Sequence, residues 1–190
     1  MTMLKELNVK IDHSLLLQVV HDLNIIELAS SDYRPQVSVQ CRKETLPKFQ
    51  LSESCNSLIY DWDTYDAKIH DSLQKREVVL KEEDFNITCD LFKGTYLETV
   101  IDILNKEYGV HRGRFMLMKY KKCLSMHTDD SCRIHIPLIT NPYSFMIIDN
   151  KVFRLQANKV YLADTTFEHT AVNSGRNDRL HLVFCTNTKL

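Results

Sequence analysis

The sequence predicts a mainly β chain with flanking helices, an α+β class, on three observations. From Arg114 onward, short runs of β-branched, aliphatic and aromatic residues follow one another between turn residues. The two stretches with helical spacing of apolar residues both precede that point, and neither a linker nor a repeat divides the chain. The expected strands are Arg114 to Tyr120, Arg133 to Ile139, Ser144 to Ile148, Lys151 to Leu155, Lys159 to Ala163 and Arg179 to Cys185. Asp149-Asn150 predicts a tight hairpin, and Ser174-Gly175 with Asn177-Asp178 predicts another turn. Strands this short and closely spaced close into a sandwich, jelly roll or barrel.

The first helix is expected from about Ser14 to Asn24, where Leu15, Leu16, Val19, Val20 and Leu23 share a face and Asp12 can cap it. The second runs from about Tyr96 to Glu107. Between them, extended pieces such as Val37 to Cys41 and Ser57 to Tyr60 are broken by Pro35, Pro47 and polar clusters, which predicts an irregular region. With 190 residues and 44% hydrophobic content, the chain suits one domain: a helical and irregular part over 1–112 packed on a β core over 113–190.

Charge and composition narrow the partners. The 24 basic and 25 acidic side chains nearly cancel, so the net charge implies neither a nucleic-acid partner nor a membrane surface. No apolar run approaches the roughly 20 residues that span a bilayer, and MTMLKELNVKID lacks the apolar core of a secretory signal, which predicts a cytoplasmic protein. The six cysteines are scattered without a CxxC pair, as expected of reduced thiols, and on that reading the Asn86-Ile87-Thr88 sequon is a chance match. The basic residues Arg112, Arg114, Lys119, Lys121 and Lys122 read as a solvated strand edge. The Tyr60 to Asp66 cluster, which holds Trp62, reads either as a turn around one indole or as a mouth for an amine or peptide.

Two expected strands carry strong polar groups where a core face belongs. A period of two places Arg133 with His135 opposite Ile134, Ile136 and Leu138, and Arg179 with His181 opposite Leu180 and Leu182. Either those polar faces meet solvent, or they line a closed sheet's interior, where an arginine needs an anion to satisfy it. Just before the Arg133 run stands His127-Thr128-Asp129, and His169 follows at a distance. Two histidines and one carboxylate on one face of an iron(II) ion form a facial triad that leaves open positions. A 2-oxo acid can take two of them and dioxygen the third. The distal carboxylate of 2-oxoglutarate then calls for a fixed cation, and Arg179, ten residues after His169, suits it best, since arginine's planar fork meets a carboxylate with two hydrogen bonds. Arg133 and His135 are expected to add a second contact or to orient a ligand.

The stretches MHTDDSCRIHIPLITNP and VYLADTTFEHTAVNSGRNDRLHLVF, within about 113–184, resemble the aspartyl/asparaginyl β-hydroxylase family in the order and spacing of H-x-D, R-x-H-I-P-L, H-x-x-x-N and R-x-H-L. The resemblance implies a double-stranded β-helix core, jelly-roll and cupin-like. It further implies iron on His127, Asp129 and His169, and 2-oxoglutarate on Arg179 with help from Arg133 and His135. The implied reaction decarboxylates 2-oxoglutarate to succinate and hydroxylates an amino-acid C–H bond. The substrate is an aspartyl or asparaginyl side chain of a peptide or protein, or else a free amino acid such as proline, since free-proline hydroxylases share the family. A metal-binding cupin-like isomerase or sensor is the reading from another class, and Arg179 argues against it. Asp130 is the alternative carboxylate ligand, disfavoured by the H-x-D spacing, and Asn173 reads as a structural hydrogen-bonding residue or a ligand contact.

Overall fold

The computed structural model describes residues 2–30, 35–55, 58–61 and 74–190. Two antiparallel sheets dominate it. The larger runs, edge to edge, Leu4–Leu7, Val160–Ala163, Cys132–Ile139, Arg179–Thr186, His111–Met118 and Gln36–Ser38. The smaller runs Lys151–Phe153, Ser144–Ile148, His169–Asn173 and Lys122–Cys123. From His111 onward the chain alternates between the sheets, and every pairing is antiparallel. That winding is the double-stranded β-helix, so the expected mainly β, jelly-roll class holds.

Period-two alternation explains why the large sheet is buried on both faces. In His111–Met118, Phe115 and Leu117 point outward into a cluster with Leu16, Val20, Leu97, Val100 and Leu104 from the helices His13–Asp22 and Tyr96–Tyr108. Arg114, Met116 and Met118 point inward. The first helix starts where Asp12 accepts hydrogen bonds from the backbone N–H groups of Ser14 and Leu15, and the second ends at Gly109, whose φ of 58° suits a left-handed C-terminal cap. The Asp149-Asn150 turn has φ of 47° and 61°, the conformation that joins two-residue hairpins, and it links Ile148 directly to Lys151.

Several expectations change in the folded chain. Leu4–Leu7 and Gln36–Ser38 extend the large sheet at its two edges, so residues before 112 build the sheet as well as cover it. His169–Asn173 is a strand that its polar sequence HTAVN concealed, because a barrel interior that holds ligands accepts polar side chains. Arg114 is no solvated edge residue: its strand lies between two others, its side chain is buried, and Arg112 is only slightly exposed. Of the Tyr60 to Asp66 cluster, Tyr60–Asp61 pairs with Gln74–Lys75, while 62–66, Trp62 included, lie outside the described residues. No helix among the described residues is long and apolar enough to cross a membrane.

Two polar devices fasten the barrel. Asn173 is fully buried; its Oδ1 accepts from Ser144 Oγ at 2.9 Å and Asn141 Nδ2 at 3.1 Å, and its Nδ2 donates to the carbonyls of Asn177 at 2.9 Å and Met118 at 3.2 Å. It therefore ties both sheets together, the structural role of the two it could have had. At the opposite end, Glu82 arrives on a short helical turn and accepts from Arg133 at 2.9 Å, Arg112 at 2.9 Å and Ser131 Oγ at 2.6 Å. Burial pushes the Glu82 carboxyl up, but Arg133, Ser131 and Arg112 together outweigh it and bring the value down to about 2.

Close packing and this carboxylate each yield a prediction. A Cβ at Gly113 would stand 2.4 Å from the Phe184 ring and 2.6 Å from Val39 Cγ2, so Gly113→Ala should lower the unfolding free energy by about 1–3 kcal/mol in urea titrations. Because the Glu82 value is depressed on folding, its contribution is full above the ordinary 4.5 and fades as pH falls through about 2. Stability measured from pH 6 down to 2 should fall across that window in the wild type. Glu82→Gln should flatten this part of the slope and cost about 3–5 kcal/mol at neutral pH by stranding two guanidiniums.

Candidate active site

His127 and His169 lie opposite each other in a short antiparallel bridge, His127 N–H donating to His169 O at 3.1 Å and His169 N–H to His127 O at 2.8 Å. This pairing puts both imidazoles on one side of the backbone, with ring centroids 4.3 Å apart. Each Nδ1 lies on a carbonyl two residues back, that of Ser125 at 2.8 Å and that of Phe167 at 3.0 Å. A carbonyl only accepts, so each Nδ1 carries the proton and each Nε2 keeps its lone pair. Burial is the main reason the His169 imidazole titrates below its ordinary value, which keeps it neutral and fit to ligate.

Asp129 is drawn in by its own backbone, whose N–H donates to Thr165 O at 2.9 Å. Its carboxylate oxygens stand 3.9 Å from His127 Nε2 and 3.5 Å from His169 Nε2, and the three donor groups lie within 4.8 Å of one another. Asp130 is exposed and takes no part in the cluster. On the far side of Asp129, Arg133 Nε is 3.2 Å from Oδ2, and the same guanidinium is held by Glu82. Arg133 thus orients the carboxylate as an outer-shell partner.

The triad opens into a cavity of about 750 Å³ inside the barrel, walled in part by Met116, Met118, Met146 and Ala171. Arg179 lines it, buried, next to the two ring nitrogens of His181 at 2.9 and 2.8 Å and with no carboxylate partner among the described residues. Burial pushes its guanidinium down to about 10, so it remains charged at neutral pH. His135 is enclosed with no hydrogen bond to either ring nitrogen, and burial, reinforced by Arg179 and Arg133, holds it neutral. Burial and Arg179 do the same to His181. The cavity thus gathers all six side chains singled out in the sequence: His127, Asp129, Arg133, His135, His169 and Arg179.

Three further residues were missed as parts of this site. Arg114 lines the cavity, and the alternation Arg114, Met116, Met118 could have revealed it had the strand been read as enclosed. His181 was placed on the Arg179 face but given no role. Glu82 had no signal, since it reaches Arg133 across 51 positions of sequence. A second His, Cys and Glu grouping, Glu82, His111 and Cys185, also lies within 4.8 Å, but Arg112 and Arg133 already neutralise its carboxylate and repel a cation.

The family model described as aspartyl/asparaginyl beta-hydroxylase matches residues 38–187. No curated protein matches the chain. Among solved structures, an oxidoreductase titled as 2OG-Fe(II) oxygenase family from Burkholderia pseudomallei is 17% identical with a TM-score of 0.42, over 50% of this chain and 60% of that one, so the match spans about three fifths of that protein's length. A cupin domain from Bordetella pertussis is 12% identical with a TM-score of 0.36, over 42% of this chain and 82% of that one. The family match takes in every strand of the double-stranded β-helix and all six predicted site residues, and on that ground the chain belongs to the aspartyl/asparaginyl β-hydroxylase family.

Proposed function

We propose that the chain is an Fe(II)- and 2-oxoglutarate-dependent dioxygenase that hydroxylates an aspartyl- or asparaginyl-type, or related, amino-acid side chain. One observation carries the reading: two imidazoles and a carboxylate converge on a point in the same cavity where Arg179 lies buried without an acid of its own. The donor set fits iron(II), because the two Nε2 atoms are freed by their Nδ1 partners and Asp129 supplies one negative charge. His127, Asp129 and His169 would hold the ion, and the bound metal supplies the oxidative chemistry with dioxygen.

The remaining side chains supply orientation. Arg179 binds the distal carboxylate of 2-oxoglutarate through its fork, which satisfies a charge the fold leaves unneutralised. Arg133 fixes the angle of Asp129 while Glu82 fixes Arg133, so the ligand carboxylate does not rotate. The methionine wall keeps the space dry, which strengthens each of these contacts. A cupin-like isomerase or sensor would have no use for Arg179 at that place.

Anaerobic titration with Fe(II) and 2-oxoglutarate should give a charge-transfer absorption band, and admission of air should release succinate. Lack of both in the wild type would refute the proposal. His127→Ala and His169→Ala should each lower succinate release at least 100-fold together with iron affinity. Arg179→Met should instead raise the 2-oxoglutarate concentration needed for half-saturation by about 10- to 100-fold, the worth of a charge-assisted pair. Arg133→Met should weaken iron binding by about 10- to 100-fold through Asp129, as measured by competition with a chelator.

A further inference from the structure

Arg114 is the one cavity arginine besides Arg179 with no carboxylate partner among the described residues. Its guanidinium is buried, its Nε has no hydrogen bond, and its closest polar contact is a weak one from Nη2 to Cys185 Sγ at 4.0 Å. A charge enclosed this way is stable only if something anionic enters to meet it. The register separates it from Arg179. Val183 faces Arg114 on one neighbouring strand and His135 on the other, whereas Arg179 faces Met118. Four residues of strand lie between those levels, about 13 Å at the usual rise. Arg133, which touches Asp129, faces Cys185, so Arg114 lies near the triad's level and Arg179 lies far along the barrel from it.

We infer that Arg114 binds a carboxylate of the primary substrate, making that substrate an acid and setting Arg114 as a specificity-determining residue. The inference rests on the proposed oxygenase reading and names the substrate class for that site. One guanidinium balances one negative charge, and beside it His135 offers a neutral ring with both nitrogens unpaired for a second polar group of the same molecule. Arg179 takes the co-substrate at the other level. The cavity, at about 750 Å³, has room for both. The carboxylate can be the α-carboxylate of a free amino acid or the side chain of an aspartyl residue, and the chemistry at Arg114 is the same.

Isothermal titration of protein loaded with Mn(II), with and without 2-oxoglutarate, tests this with five probes: L-proline, L-prolinamide, L-aspartate, a short peptide with an internal aspartyl residue, and the same peptide with asparagine. At least one acid probe should bind, with its amide counterpart at least tenfold weaker. Arg114→Met should weaken that acid at least tenfold while the 2-oxoglutarate dissociation constant changes less than twofold, which also shows the variant is folded. Arg114→Lys should restore part of the affinity. Proline preference assigns a free amino acid, and aspartyl-peptide preference a side chain. Equal binding of acids and amides, no acid binding, or a 2-oxoglutarate constant that rises in Arg114→Met would each overturn the inference. Failure of 2-oxoglutarate to bind the wild type defeats the co-substrate reading alone, because dependence of the acid probes on Arg114 is read with metal only.

Discussion

Buried positive charge is the constraint around which this molecule is organised. Three guanidiniums, those of Arg114, Arg133 and Arg179, point into one barrel, where each would be costly unless met by an anion. The protein answers only Arg133, through Glu82 and Asp129. The other two stay charged in a dry enclosure whose histidines, His135 and His181, are held neutral by the same burial and the same arginines. Such an interior attracts carboxylates and discriminates against neutral molecules before any chemistry begins.

The sheet geometry turns that interior into a site. A double-stranded β-helix brings residues far apart in sequence to one level, because successive strands cross from sheet to sheet and pair with strands distant in order. His127 and His169 meet through two backbone hydrogen bonds, so the spacing of their rings is set by the ladder. Asp129 is fixed by Thr165 behind it and Arg133 beside it. A continuous line of polar contacts then runs from the triad through Arg133 to Glu82, which belongs to the segment outside the barrel core. Damage in that outer segment is therefore felt at the carboxylate ligand.

The period-two pattern of Arg133-x-His135 and Arg179-x-His181 and the tripeptide His127-Thr128-Asp129 were legible in the sequence, since each is local and depends only on which way alternate side chains point. The hairpin at Asp149-Asn150 and the Asp12 cap were legible for the same reason. The strand His169–Asn173 was not, because its polar residues answer to a cavity that exists only once the barrel has closed. Arg114 was mistaken for a surface cation, because basic residues cluster around it in sequence and nothing local tells a central strand from an edge.

By itself the sequence determined the mainly β class, the helix faces and the chemical types brought to the site, all of which follow from propensity, periodicity and residue chemistry. Only the tertiary structure decided which carboxylate meets the two imidazoles, that Glu82 holds Arg133, and that Arg114 is enclosed without a partner. The physical reason is that burial and ion pairing depend on contacts between strands and turns remote in the chain, and those contacts carry no trace in the residues next to them.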